Sequence, residues 1–260
     1  MKKTIYLLFA LGIFTVSCSS DDDSAATTTP SENDYLPLTA GNYWVYDVPG
    51  SVESGRDSLY VANDTVIAGS AYTKFKSRDL AFGFFTGALA NNGVKKEGNK
   101  LLLTGSASVN FTEEFPINIG VTDLVIFKED ASANDALGSV TGTLQQTYDG
   151  YPLTFTYTLT TTAKEDLPNY SVGTDVYTDV KRVETKLNLK IETTFQGFAI
   201  PILPAQDIVV SSQYYAKGIG VVHVDTTLQY TISELFAAQF GIPATRTETQ
   251  KEIMDTYSVE

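Results

Sequence analysis

The sequence predicts an all-β fold, and three observations carry the prediction. Val183, Leu187, Leu189, Ile191 and Phe195 share odd positions while Arg182, Glu184, Lys186, Asn188, Lys190 and Glu192 hold the even ones, the period of two that marks a half-buried strand. Leu153, Phe155, Tyr157 and Leu159 repeat it against Thr154, Thr156, Thr158 and Thr160, whose β-branched side chains suit a solvated sheet face. Helical spacing is confined to Ser233 to Phe240, stopped by Gly241 and Pro243, and to Thr247 to Tyr257. One-faced alternation also predicts antiparallel pairing, because parallel strands are buried on both sides and read as unbroken apolar runs.

The chain opens with Lys2 and Lys3, then an apolar run from Thr4 to Val16, then Ser17 and Cys18. This is the three-part layout of a secretory signal. The run is too short for a permanent span, since crossing the roughly 30 Å hydrocarbon core takes about 20 apolar residues. Cys18 is the only cysteine, so an internal disulfide is excluded. Thr15-Val16-Ser17-Cys18 resembles the lipobox of bacterial lipoproteins, with Thr15 where that family usually has leucine. The resemblance implies that 1–17 is a cleaved signal peptide and that Cys18 is acylated, by palmitate or similar chains. Each buried CH₂ then contributes about 0.8 kcal/mol to holding the protein at a bilayer.

Ser19, Ser20, Asp21, Asp22 and Asp23 follow, and the whole of 18–34 is too polar to bury a core. It reads as a disordered acidic tether. Its Ser-Asp-Asp-Asp start resembles the surface-export signal of Bacteroidota lipoproteins, which implies an outer-membrane protein facing the cell exterior.

Residues 35–260 contain no Pro/Gly/Ser-rich break, long charge run or repeat, and single all-β domains commonly reach this length. One β-rich domain is therefore expected. Besides the two segments above, strands are predicted over Asn42–Val48, Asp57–Ala62, Thr65–Ala68, Tyr72–Ser77, Leu101–Thr104, Leu124–Lys128, Val140–Tyr148, Asp207–Tyr215 and Ile219–Ile232. Ala68-Gly69-Ser70, Asp149-Gly150 and Lys217-Gly218 supply hairpin turns between them.

Two segments carry a further resemblance: Gly41-Asn42-Tyr43-Trp44-Val45-Tyr46-Asp47 and Tyr214-Tyr215-Ala216-Lys217-Gly218-Ile219-Gly220-Val221-Val222. A similar pairing occurs in uncharacterised secreted lipoproteins of Bacteroidota. It implies a long, curved antiparallel sheet, a half-barrel or open barrel like that of LolA-like carriers, with at most one or two short helices. Physically, Trp44, the only tryptophan, and Tyr46 would anchor a core. Phe155 and Phe195 join them as core residues or as the lining of a site for an apolar ligand, together with Phe82, Phe84, Phe85, Leu153 and Phe198.

The inventory for chemistry is short. His223 is the only histidine and lies in the apolar run Val221-Val222-His223-Val224. A Gly-x-Ser-x-Gly elbow, a phosphate-cradling glycine motif and the Asp-x-Asp-x-Asp-Gly calcium loop are all missing. One histidine cannot build a zinc or iron site, so no metal and no cofactor is expected. Glu113-Glu114, or Asp123 with Glu129, could supply the two carboxylates of a hydrolase. With 31 acidic residues some pair is always available. Asp57-Ser58-Leu59, Asp64-Thr65-Val66, Asp23-Ser24-Ala25 and Asp225-Thr226-Thr227 resemble a short O-glycosylation motif of exported Bacteroidota proteins.

The formal charge is −13, and losing Lys2 and Lys3 with the signal would make it −15. Such a chain repels nucleic acid and anionic headgroups. The sequence thus favours a monomeric, membrane-anchored, non-enzymatic binding or structural module that contacts glycans or proteins, with a carrier of lipid or another apolar ligand as the alternative and a carboxylate hydrolase behind both.

Overall fold

The computed structural model describes residues 34–110, 116–148 and 150–260. Twelve strands run β1 (Tyr43–Val48), β2 (Gly55–Ile67), β3 (Ser70–Ser77), β4 (Gly93–Glu97), β5 (Lys100–Asn110), β6 (Pro116–Lys128), β7 (Ala136–Tyr148), β8 (Tyr151–Val172), β9 (Asp175–Phe195), β10 (Phe198–Ala216), β11 (Gly220–Thr231) and β12 (Thr245–Ser258). The helices are α1 (Phe84–Leu89), between β3 and β4, and α2 (Glu234–Phe240), between β11 and β12. All twelve strands form one antiparallel sheet in the order β6-β5-β4-β3-β2-β1-β12-β11-β10-β9-β8-β7. The fold class is all-β, and the sheet curls into a barrel that lacks only one row of hydrogen bonds.

The open seam lies between β6 and β7, the two edges. It is closed at one end by packing. A Cβ on Gly138 would stand 2.7 Å from Leu124 Cδ1 and 3.0 Å from the Val125 carbonyl oxygen, so only glycine lets β7 approach β6 this closely. Thr161 of β8 donates its hydroxyl to that same carbonyl at 2.6 Å. None of the β7 residues is fully buried, although Val140, Leu144 and Tyr148 pack against the core.

Alternation places the core on the inner face. Val183, Leu187, Leu189 and Ile191 are all buried, as are Leu153, Phe155 and Tyr157. Trp44 and Tyr46 are fully buried; Trp44 stacks on Phe75 at 6.1 Å. Their polar ends meet the second sequence motif. Trp44 Nε1 donates to the Ile219 carbonyl at 2.7 Å and Tyr46 Oη to the Val221 carbonyl at 2.8 Å. The ladder between β11 and β12 begins only at His223, so these carbonyls take side-chain donors instead. A chain of rings, Tyr35 to Phe127 at 5.0 Å, Phe127 to Tyr215 at 4.7 Å and Tyr215 to Phe85 at 6.5 Å, continues the core across the barrel.

Three expectations need correction. Thr247 to Tyr257 is not a helix but lies inside β12. Asp57–Ala62 and Thr65–Ala68 are one strand, β2, with a register shift between Val61 and Asn63. Phe195 is not in the core: it is 60% exposed at the end of β9. It keeps the inward parity of Leu189 and Ile191, but the strand outruns the cover that α2 provides.

Candidate functional site

Two short segments, around α1 and α2, lie against the inner face of the sheet, and the candidate site is the groove beside the α1 segment. α2 is placed by Ser233 N donating to the Ile202 carbonyl at 3.1 Å and ends on the left-handed Gly241. Phe240 packs with Tyr148 and Tyr151 and helps cover Leu153, Phe155, Ile191 and Ile202. The predicted stretch Ser233 to Phe240 therefore holds as a helix.

α1 has no helix signature in the sequence and is held by side chains far along the chain. Asp57 accepts from Phe82 N at 2.9 Å and Gly83 N at 2.7 Å. Glu252 accepts from Phe85 N at 2.6 Å, Thr86 N at 3.0 Å and the Thr86 hydroxyl at 2.7 Å. Gln250 accepts from Phe84 N and donates to the Phe82 carbonyl. The first-turn amides, which a helix leaves without internal partners, are thus met by carboxylates and an amide on β2 and β12. Glu252 is 1% exposed; burial pushes its carboxyl up to about 7 against the lowering effect of its three donors.

The groove lined by the α1 segment and by Gly50 to Glu53 of the β1–β2 loop has a volume of about 300 Å³, at the lower end of the range for small-molecule sites. Its floor is Val209, Thr226 and Leu228, one side is Phe82 and Phe84, and Arg246 and Glu248 lie along β12. Arg246 binds Glu248 through Nε and Nη2, both at 2.5 Å. Phe84 also lines a second, inner cavity of about 80 Å³, walled by residues such as Leu103, Ile119, Val121 and Leu187. That space is apolar but too small for a drug-sized ligand.

The predicted site residues fall in separate places. Trp44, Tyr46 and Phe155 are fully buried core. Phe84 and Phe85 belong to the α1 segment, while Phe198, at 75% exposure, joins Phe195 outside the core. His223 lies on the outer face, its Nδ1 2.6 Å from the Tyr170 hydroxyl, with Tyr214 stacked between them. Burial holds it below the usual histidine range. Asp123 is occupied by Tyr72 at 2.6 Å, Lys95 and Thr104, and Glu129 lines a different crevice beside Tyr35. Cys18, Ser19, Ser20, Asp21, Asp22, Asp23, Glu113 and Glu114 lie outside the described residues.

Among the described residues no group of three or more His, Cys, Asp or Glu side chains could hold a metal ion, and no helix is long and apolar enough to cross a membrane. The groove residues Arg246, Glu248 and Gln250, and Glu252, which holds α1, were not singled out by sequence. Their alternation along one face was visible, but a polar face reads as solvated when nothing shows that it points inward. No family model, curated protein or solved structure matches the chain.

Proposed function

We propose that the chain is an exported lipoprotein, held at the outer membrane by acyl groups on Cys18, whose barrel is displayed on the cell exterior as a non-enzymatic binding module, monomeric and indifferent to nucleic acid. The single observation that supports binding over catalysis is how the polar side chains that β12 directs toward the groove and α1 are spent. Glu248 is tied to Arg246, Gln250 braces the backbone of Phe82 and Phe84, and Glu252 holds α1. Aromatic rings beside paired polar groups suit a glycan or a peptide side chain.

A carrier role is the second reading, favoured by the apolar cavity behind Phe84 and by the barrel shape. It requires α1 to move, since Phe85 and Leu89 are buried where a tail would go.

Intact mass and protease shaving test the first reading. The expected result is a chain starting at residue 18, carrying acyl mass, cleaved by protease added to whole cells, and released when Cys18→Ser is expressed. An unacylated mature chain starting elsewhere would overturn it. Native mass spectrometry separates the two roles, because a carrier retains lipid-sized mass and a filled module does not.

A further inference from the structure

The end of the sheet that holds α2 carries an apolar surface that the groove does not use. β9 and β10 are joined there by Gln196 and Gly197, both with positive φ, 50° and 81°, the two-residue turn that fits the twist of a hairpin. Phe195 and Phe198 are direct cross-strand partners flanking it. They are 60% and 75% exposed. From Thr193 to Gln206 there is no charged residue. Leu235, on the first turn of α2 at this same end, is 74% exposed, and the adjoining β7–β8 hairpin ends in the pair Tyr148 and Tyr151.

We infer that this hairpin tip docks the protein onto a neutral lipid surface, with Phe195 and Phe198 entering the headgroup region. Three observations select that occupant. Exposed rings on a rigid turn lose little conformational freedom on insertion and gain the burial that water denies them. Charge disfavours anionic surfaces: the nearest charged groups are Glu192, paired with Lys190 at 2.7 Å, and Glu234, the chain carries −13 overall, and anionic lipid or polyanionic partners would be repelled.

The third observation is where the chain outside the described residues joins the barrel. Asp34 accepts from Gly218 N at 2.6 Å and pairs with Lys96 at 3.0 Å, beside the β10–β11 turn. That is the opposite end of β10, whose 19 residues span about 60 Å. The stretch from Cys18 to Asn33 reaches at most about 55 Å. A barrel held at the Asp34 end can therefore lie along a bilayer with its aromatic end also in contact, giving two attachments instead of one.

The docking inference stands on the tip's own chemistry, and its test leaves the acyl anchor out. The chain from residue 18 onward, carrying Cys18→Ser, is mixed with phosphatidylcholine vesicles. Phe198→Trp is the reporter; native Trp44 is fully buried and contributes a constant background. The expected result is a blue shift and quenching by brominated phosphatidylcholine, both missing for Val176→Trp at the β8–β9 turn. Cosedimentation falls about tenfold or more in Phe195→Ser/Phe198→Ser, with unchanged circular dichroism because both rings are exposed. Unshifted, unquenched emission from the Phe198→Trp reporter would overturn the inference. So would binding confined to vesicles containing phosphatidylglycerol, or capture by insoluble polysaccharide that depends on the same two rings while vesicles have no effect.

Discussion

Glu252 illustrates how one side chain couples stability to pH. Its carboxyl is held at about 7 in the folded chain against an ordinary 4.5, so between those values the folded state binds a proton that the unfolded state has lost. Stability contributed by this group is complete below about pH 4.5 and declines as pH rises to about 7. A shift of this size corresponds to something on the order of 3 kcal/mol. Urea unfolding at about pH 5 and about pH 8 should show that loss in the natural chain and a flatter profile in Glu252→Gln; equal profiles would mean the carboxyl is not perturbed. Trp44 supplies the second prediction at this scale. Trp44→Phe keeps most of the buried ring but leaves the Ile219 carbonyl without its donor, at a cost of about 1–3 kcal/mol, measurable as a lower urea midpoint with unchanged slope.

Among the elements, the seam is the place where small changes have large effects. Gly138→Val would drive a branched side chain against Leu124 and the Val125 backbone, where even a single Cβ has no room. The expected cost is about 1–3 kcal/mol, with faster amide exchange in β6 and β7 than in β9. A variant as stable as the natural chain would show that the seam is not packed. The elements legible in sequence were those whose inner face is apolar: Val183 to Ile191 and Leu153 to Tyr157 announced themselves by alternation. β12 did not, because its inward residues Arg246, Glu248, Gln250 and Glu252 are polar, and without an apolar face its alternation was not recognisable as a strand. α1 was hidden for a related reason. Its backbone donors are satisfied from β2 and β12, so no local residue needed to encode it. Phe195 was misplaced because periodicity gives the face of a strand and not the point where its cover ends.

For the whole molecule, the order of strands fixes how the chain must assemble. Every ladder joins strands adjacent in sequence except β1 with β12, where Tyr43 opposes Ser258. That one pair must close across nearly the whole chain, and long-range closure slows folding. The two ends are brought together as a result: Glu260 N donates to Asn42 Oδ1, and Asn42 Nδ2 to the Pro37 carbonyl. Cutting the chain in the β6–β7 connection, between Ala133 and Asn134, and joining Glu260 to Asp34 by a short glycine-serine linker would leave every ladder intact. The permuted sheet becomes β7 through β12 followed by β1 through β6, a meander in which every pair is sequential. The cut falls in an exposed loop and breaks no ladder, so stability should stay within about 2 kcal/mol. Refolding should be about tenfold faster or more, since contact order falls while the native contacts do not. Stopped-flow fluorescence of Trp44, which is buried between β1 and the start of β11, follows that closing step directly. An unchanged rate would show that pairing of β1 with β12 is not what limits folding.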